Sequence, residues 1–290
     1  MFVGRRLLHI SDIHCGPPYR PEVADAMIEA AQELAPDVIV ASGDFTQRAK
    51  REQFAEARRL LDRLPKAPLV VTPGNHDVPL YRVIERIREP YRNYRESISN
   101  ELQSVLRLEG MVIVSMNTTH PLRAITNGRL RLKQLQFCER ALKEAPEDAF
   151  RIVVVHHHFM PAPDYERDQV MPKAKRALDW LIGQRVDMIM GGHLHRAYIA
   201  NSLDVYSGAD PNHGIIILQC GTTTSRRGRG REREKNTFNL VEVEGDIINV
   251  THYMHFTDDG GFAPISRHSF PRPGKRMAAA EAALRDGREA

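Results

Sequence analysis

The chain has 290 residues, 42% of them apolar and 27% charged, which is the balance of a globular protein that can bury a substantial core. Its formal net charge of +4 favours an anionic ligand but is too small for the concentrated basic patch that duplex binding usually needs. Cys15, Cys138 and Cys220 have no Cys-x-x-Cys spacing, which argues against a disulfide framework and a thiolate zinc site. The sequence has no signal-peptide core and no run of about 18 apolar residues, so we expect a cytoplasmic protein without a membrane span.

Strand and helix patterns alternate through the first part of the sequence. Residues 7–10 form a short apolar run, and the helical pattern "RPEVADAMIEAAQEL" follows, with Pro36 as its stop. The stretches "DVIVASGD" and "PLVVTPGNHD" read as buried strands on either side of an amphipathic helix, "REQFAEARRLLDRL". Residues 80–108 are helical in pattern and rich in arginine and tyrosine, which predicts either a lid that selects an anionic substrate or helices whose arginines face solvent.

The alternation continues and then changes character. The strand patterns "MVIVSMNTT", "RIVVVHHH" and "VDMIMGGHLH" alternate with the helical patterns "RLKQLQFCERALKEA" and "KAKRALDWLIGQ", which predicts an α/β architecture with functional residues at the carboxyl ends of the strands. Later strands, "GIIILQCGTTT" and a hairpin centred on residues 244–246, have no helices between them. Residues 256–290, rich in glycine, proline and arginine, predict a loose basic tail with a short helix at 277–284, and this leaves residues 1–255 as one domain.

Metal-binding side chains follow five of the apolar runs. They are Asp12 and His14, then Asp44, then Asn75 with His76 and Asp77, then the histidine triplet 156–158, and finally His193 and His195. Any one of these taken alone reads more readily as a capping aspartate or a core histidine, but five in one α/β chain predict a site. In an extended strand, residues two apart point the same way, so each spaced pair can chelate one ion.

The chemistry of these ligands indicates the ions. Carboxylate, amide and imidazole groups without a thiolate suit manganese, iron, zinc or nickel. About seven ligands are more than one ion needs when it also keeps room for water, so we expect two ions that share a carboxylate.

This ordered set of motifs resembles the calcineurin-like metallophosphoesterases over roughly residues 5–255. The stretches "GDFTQRA", "PGNHDVPLY" and "CGTTTSRR" are most similar to the bacterial branch that includes class III cyclic nucleotide phosphodiesterases. The resemblance implies a four-layer α/β/β/α sandwich of two mixed sheets flanked by helices. It also implies two metal ions, drawn from Mn²⁺, Fe²⁺ or Fe³⁺, and Zn²⁺. The implied first metal has the ligands Asp12, His14 and His195, the second has Asn75, His193 and one histidine of the triplet, and Asp44 bridges the two.

The triplet in "VVVHHHFMP" leaves a choice of ligand. In the family pattern the ligand stands two residues before a proline. Here Phe159 occupies the position of that proline, so counting two residues back selects His157. Strand alternation would place His156 and His158 together on the opposite face. The alternative without function is a solvated strand end.

The predicted activity is hydrolysis of phosphoric esters, most of all diesters. Two ions can lower the pKa of a bridging water from about 15.7 toward 7, which gives a hydroxide aimed in line at phosphorus. We predict that His76 assists the leaving group while Asp77 holds its ring protonated; the alternatives are that His76 is a third ligand or a structural residue. The substrate class is a small phosphate ester, with cyclic nucleotides as candidates. A nuclease or phosphomonoesterase with the same site, and a non-catalytic scaffold of the same fold, are the alternatives.

The basic stretch "SRRGRGREREK", residues 225–235, has two readings. It could contact a nucleic acid or polyphosphate, or it could be a solvated loop. No aromatic residue is interleaved with its arginines, which weakens a role in binding single strands.

Overall fold

The structure, a computed structural model, describes residues 4–122, 126–162, 169–206, 210, 212–258, 260–276 and 279. Its strands are β1 (Arg5–Ile10), β2 (Val38–Ala41), β3 (Leu69–Val71), β4 (Ser104–Leu108), β5 (Met111–Ser115), β6 (Phe150–Val154), β7 (Met188–Gly191), β8 (Tyr198–Asn201), β9 (Ile216–Gln219), β10 (Thr237–Glu244), β11 (Ile247–Phe256) and β12 (Gly261–Pro271). Its α-helices are α1 (Pro21–Leu34), α2 (Arg51–Asp62), α3 (Val83–Arg88), α4 (Arg92–Ser97), α5 (Leu132–Lys143) and α6 (Ala174–Gly183).

The described strands form two six-stranded mixed sheets. The first sheet has the order β12-β11-β10-β1-β2-β3, in which β1, β2 and β3 are parallel and β10, β11 and β12 form an antiparallel meander on β1. The second has the order β4-β5-β6-β7-β9-β8, with four parallel central strands and an antiparallel strand at each edge. The parallel strands therefore end at one edge of each sheet.

Hydrophobic packing stacks these elements in four layers. The inner faces of the sheets meet in a core to which both contribute, with Leu7 and Val40 from the first sheet and Ile113 and Met190 from the second. The outer face of the first sheet packs on α1 and α2, and that of the second on α5 and α6. Strands such as β2 and β6 are buried along their whole length because both of their faces are covered. The predicted α/β/β/α sandwich is confirmed.

The segment at residues 80–108 is only partly the helical unit that the sequence pattern predicted. It contains the short helices α3 and α4, but residues 104–108 form β4, which pairs with β5. The two strands join through Glu109 and Gly110, and the positive φ of 71° at Gly110 suits a tight hairpin turn. Helix α3 has no buried residue, so it lies on the surface.

The predicted loose tail after residue 256 requires a larger correction. Residues 261–271 form β12, which pairs with β11 along its length. The guanidinium of Arg272 then makes a bidentate ion pair with Asp187, at 3.0 and 3.1 Å, which ties the end of the first sheet to the second. An edge strand tolerates Pro264 and Pro271 because it has one unpaired side, and this composition resembles that of a loop. The predicted helix at 277–284 lies outside the described residues except for residue 279.

The longest described helix, α1, has 14 residues. Among the helices of the described ranges, none combines the length and apolar character that crossing a bilayer would require.

Candidate metal centre

The predicted ligands come together where the parallel strands of both sheets end. Loops after β1, β2 and β3 deliver ligands from the first sheet, and loops after β6 and β7 deliver them from the second. The side chains form two groups, and within each group the possible ligand atoms all lie within 4.8 Å of one another. The first group is Asp12, His14, Asp44 and His195, and the second is His156, His157 and His193. The loops that the sequence singled out therefore meet at one place.

The backbone of these loops is not extended, which corrects the geometry expected for the spaced pairs. Positive φ angles between 52° and 76° occur at five of the predicted ligands, Asp12, His14, Asp44, His193 and His195. Residues other than glycine seldom adopt this left-handed conformation, and its cost of about 1–3 kcal/mol per residue is borne mainly at functional sites. The side chains of each pair thus converge through two left-handed turns rather than through strand alternation.

The first group is a closed cluster of carboxylates and imidazoles. The Nε2 atoms of His14 and His195 lie 3.0 Å apart, and Oδ1 of Asp12 is 3.6 Å from the first and 3.1 Å from the second. All three side chains are almost completely buried. Two imidazole nitrogens so close to one carboxylate oxygen form the kind of pocket that a small cation fills.

The second group converges on the side-chain oxygen of Asn75. Oδ1 of Asn75 lies 3.1 Å from Nε2 of His156 and 2.9 Å from Nδ1 of His193. Asn75 itself begins a single 3-10 turn, Asn75–Asp77, just after β3. This turn approaches the neighbouring loop closely, since a Cβ on Gly74 would overlap the carboxylate of Asp44. Only glycine fits there.

Asp44 connects the two groups. Its Oδ2 atom lies 3.6 Å from Nε2 of His14 in the first group and 3.4 Å from Nε2 of His156 in the second. Its Oδ1 atom accepts a hydrogen bond of 2.8 Å from the backbone of His76, which fixes the carboxylate. One carboxylate that faces both groups is the arrangement that a pair of ions sharing a bridging ligand needs.

The electrostatics of the site also fit bound cations. Oδ1 of Asp12 and Oδ2 of Asp44 are buried and have no hydrogen-bond partner among the described residues. Burial lowers the pKa of His14 to about 3, although Asp12 and Asp44 raise it, so the imidazole is neutral as a metal ligand must be. Burial also lowers the pKa of His156, but Asp44 and then Asp12 outweigh this and raise it to about 9. The carboxylates therefore attract a positive charge into the pocket.

The histidine triplet is buried, which excludes a solvated strand end. His156 and His157 are 0% exposed and His158 is 2% exposed. Nδ1 of His156 donates a hydrogen bond of 2.7 Å to the carbonyl oxygen of Ser42, while Nε2 faces Asp44 and Asn75. Nδ1 of His157 instead lies 2.7 Å from the hydroxyl of Thr118. A carbonyl partner on one ring nitrogen is the usual way to orient the other nitrogen toward a metal, and His156 has it.

The structure gives Asp77 a different task from holding the His76 ring. The carboxylate of Asp77 accepts backbone hydrogen bonds from Phe45, Thr46 and Gly74, at 2.9 to 3.2 Å, so it joins the loops after β2 and β3. The ring of His76 donates from Nδ1 to the carbonyl oxygen of Gln47, at 2.9 Å, and packs edge-on against His14 with the ring centroids 4.8 Å apart.

Three threonine hydroxyl groups, to which the sequence patterns gave no role, hold the loop after β1 in its conformation. The hydroxyl of Thr222 donates to the carbonyl oxygen of Asp12 at 2.7 Å, that of Thr224 donates to Ile13 at 3.0 Å, and that of Thr223 accepts from the amide of Ser11 at 3.0 Å. The visible signal was three consecutive threonines directly after the strand pattern "GIIILQCG".

The basic stretch 225–235 is not simply a solvated loop. The carbonyl oxygen of Arg227 accepts a hydrogen bond of 2.8 Å from Nδ1 of His195. The guanidinium of Arg227 donates to Oε1 of Gln47 at 2.9 Å and is only partly exposed. Burial lowers the pKa of Arg227, while the charges of Asp44 and Asp12 raise it, so this cation lies within electrostatic reach of both carboxylates.

A four-layer sandwich with a mixed oxygen and nitrogen site for two ions, at the ends of its parallel strands, defines a class of dinuclear metalloproteins. Residues 5–197 match the family model described as Calcineurin-like phosphoesterase. The chain belongs to this family.

Two named relatives and one solved structure are similar to this chain, as expected for a member of this family. A 3',5'-cyclic adenosine monophosphate phosphodiesterase, CpdA, of Pseudomonas aeruginosa is 28% identical over 199 residues, which cover 67% of this chain and 65% of that protein. A cAMP/cGMP dual specificity phosphodiesterase of Mycobacterium tuberculosis is 27% identical over 256 residues, which cover 83% of this chain and 77% of that protein. The structure of purple acid phosphatase PPD1 from yellow lupin seeds superposes with a TM-score of 0.70 at 13% identity, covering 94% of this chain and 54% of the other, and so shares the fold.

Proposed function

We propose that this chain is a dinuclear metal-dependent hydrolase of small phosphoric diesters that acts in the cytoplasm. The observation that carries the proposal is the position of Asp44, whose Oδ2 atom faces an imidazole nitrogen of each ligand group. The names of the relatives, which are cyclic nucleotide phosphodiesterases, support a cyclic nucleotide as the substrate class. The donor set supports Mn²⁺, iron or Zn²⁺ as the ions.

We assign the ligands from the contacts described above. Asp12, His14 and His195 bind the first ion. Asn75, His193 and one histidine of the triplet bind the second ion. Asp44 bridges the two ions. The imidazole that we propose is His156 rather than His157, because Nε2 of His156 faces both Asp44 and Asn75. His157, whose Nδ1 contacts Thr118, would support the loop beside it.

Alanine replacements within the triplet test this choice. We expect His156→Ala to lose about one of two metal equivalents and His157→Ala to keep both, because only the first removes a nitrogen that faces the shared carboxylate. Metal content by elemental analysis of the purified variants, each with circular dichroism to confirm folding, measures the difference. Loss of one equivalent in His157→Ala with full occupancy in His156→Ala would reverse the assignment.

Two side chains that are not assigned as ligands complete the proposed site. When bound, two such ions supply an activated water and neutralise charge on the phosphate oxygens. The chain itself supplies His76, whose ring donates from Nδ1 to the carbonyl oxygen of Gln47 and, when doubly protonated, can donate from Nε2 to the leaving oxygen. It also supplies Arg227, whose guanidinium is held by Gln47 near both carboxylates and can donate to a phosphate oxygen.

Arg227→Gln tests the phosphate contact. We expect KM for a diester to rise roughly tenfold to a hundredfold with metal content unchanged, because a hydrogen bond from a charged donor contributes about 1.5–3 kcal/mol. The backbone carbonyl that orients His195 remains in the variant. Arg226→Gln removes an equal charge from the exposed neighbouring residue and is the matched control. Unchanged kinetics in Arg227→Gln, or a loss of metal, would contradict the role.

A substrate panel tests the function as a whole. With Mn²⁺ present, we expect hydrolysis of bis(p-nitrophenyl) phosphate and cyclic AMP to exceed that of p-nitrophenyl phosphate and single-stranded DNA. A preference for the monoester or for DNA would favour a phosphomonoesterase or a nuclease with the same site. No hydrolysis of any of the four by metal-loaded protein would indicate a non-catalytic scaffold.

A further inference from the structure

A surface cavity of about 840 Å³ lies where the N-terminal ends of α5 and α6 meet, and none of the proposed metal ligands lines it. Four cationic side chains surround it, and three leucines and the indole of Trp180 form its apolar part. The cations are Arg129, Arg131, Lys173 and Arg176. Small-molecule sites commonly have volumes of about 300–1,000 Å³, so the size suits a ligand rather than a few waters.

Among the described residues, no acidic side chain lines this cavity, and its four cationic side chains make no ion pair or side-chain hydrogen bond. Two neighbours on the same helices are paired, Lys143 with Glu139 and Lys175 with Asp179, each at 2.8 Å, whereas Lys133 and Arg140 of α5 have no ion pair within the part of the chain that the structure describes. Cations that converge on a cavity without partners repel one another, and a polyanion would relieve this cost.

The apolar part of the cavity adds a second requirement. Trp180 is the one tryptophan of the chain and is only partly buried, packed beside the core under α5 and α6. An indole face next to cationic side chains suits a flat ring that carries phosphate groups. We propose that this cavity binds a nucleoside polyphosphate, with the base on Trp180 and the phosphates among the four cations.

Residues adjacent to both walls of the cavity contact the histidine triplet. On the α5 side, the amide of Arg129 donates to the carbonyl oxygen of Thr118 at 2.7 Å, and the hydroxyl of Thr118 lies 2.7 Å from Nδ1 of His157. Gly128 packs so closely on His157 that a Cβ would overlap the ring. On the α6 side, the amide of Met171 donates to the carbonyl oxygen of His158 at 3.2 Å. We expect occupancy of the cavity to change turnover at the metal centre through these contacts, an effect that rests on the proposed function.

The single tryptophan makes binding directly measurable. Titration of the whole metal-loaded chain with ADP should change the fluorescence of Trp180, excited at the red edge of indole absorption, until the signal saturates. Adenosine, which lacks the charge, and pyrophosphate, which lacks the ring, should each bind at least tenfold more weakly than ADP. Equal affinity for pyrophosphate and ADP would overturn the role of Trp180, and no saturable binding of ADP would overturn the site.

Charge-matched variants locate the binding. The triple variant Arg129→Gln, Lys173→Gln, Arg176→Gln should bind ADP at least tenfold more weakly by calorimetry. The control triple Lys133→Gln, Arg140→Gln, Lys175→Gln changes the same net charge on exposed residues of α5 and α6 outside the cavity, and should bind like the unaltered chain. Equal weakening in both triples would mean a general charge effect and would overturn the proposal.

A further experiment tests whether ADP binds at the metal centre instead of the cavity. The Asp44→Asn chain should still bind ADP, since Asp44 does not line the cavity; loss of binding there would overturn the proposal. ADP should change the rate on bis(p-nitrophenyl) phosphate at least twofold in the control triple but not in the cavity triple, and an unchanged rate in the control triple would overturn the coupling. If the unaltered chain hydrolyses nothing, the proposed function fails while the binding result stands.

Discussion

Replacing Asp44 by asparagine is expected to lower turnover on diesters by roughly 10³-fold or more, equivalent to about 4 kcal/mol of transition-state stabilisation. The substitution keeps the shape of the side chain but removes its negative charge. Oδ2 of Asp44 faces His14 and His156 at 3.6 and 3.4 Å, so the loss affects both ligand groups together. Metal content should fall in parallel with turnover.

Added Mn²⁺ separates the effect of this substitution on metal binding from its effect on folding. Without metal, Asp44 is a buried carboxylate that lies 3.4 Å from Nε2 of His156 and, against the effect of burial, raises the pKa of that ring, so asparagine should also lower the stability of the metal-free fold. With Mn²⁺ at a hundredfold excess over Kd, the unaltered chain should gain about 2.7 kcal/mol for each ion bound, which raises Tm by roughly 4 °C per ion. The variant should show little of this rise.

Calorimetry with and without Mn²⁺, elemental analysis and kinetics together measure the effect. Asp62→Asn is the matched control, because Asp62 is an exposed partner of Arg58 on α2 and lies outside the proposed site. Metal content and Tm rise in Asp44→Asn equal to those of the control would contradict a bridging role for Asp44.

The ligand-bearing loops could be predicted from the sequence because each follows an apolar run of unambiguous type. The runs before Asp12, Asp44 and His193 are buried strands in the structure, and parallel strands bring their carboxyl ends together. What the pattern could not supply is the backbone conformation at the ligands themselves. Left-handed turns depend on how the loops are held, and the hydrogen bonds that hold them come from residues more than 200 positions away, such as Thr222 and Thr224.

Strand alternation could not decide the choice within the histidine triplet for a related reason. Alternation holds only while the chain is extended, and β6 ends at Val154, before the triplet begins. The three histidines lie in a bend, where the partners of each ring decide which nitrogen faces the metal site. Those partners, Ser42 and Thr118, come from other loops.

Edge elements were the hardest part of the fold to predict. Strand β12 has no fully buried residue, so its sequence shows neither an apolar run nor a helical period, and its prolines resemble loop residues. Only its pairing with β11 and the ion pair of Arg272 with Asp187 reveal that it belongs to the sheet. The contact of Arg227 with Gln47, 180 residues apart, is equally invisible to local patterns.

His76→Ala is expected to keep both metals and to lose turnover in a way that depends on the leaving group. For a diester with an alkyl leaving group we expect kcat to fall about 10²–10⁴-fold, because the departing alkoxide then lacks a proton donor. For bis(p-nitrophenyl) phosphate, whose aryloxide leaves without protonation, the loss should stay below about tenfold.

The environment of the His76 ring supports this difference between the two kinds of leaving group. Nδ1 carries the proton donated to the carbonyl oxygen of Gln47, so Nε2 can give a proton to the leaving oxygen only when the ring is doubly protonated. Burial lowers the pKa of His76, the charge of Asp44 opposes this shift, and Arg227 reinforces it, so a proton placed on the ring is readily released. His268→Ala, which removes an exposed histidine on β12, is the matched control. An equal loss of turnover on both substrates would assign His76 to substrate binding, and a loss of metal content would identify it as a ligand. Only a loss of turnover confined to the substrate with the poor leaving group identifies a proton donor.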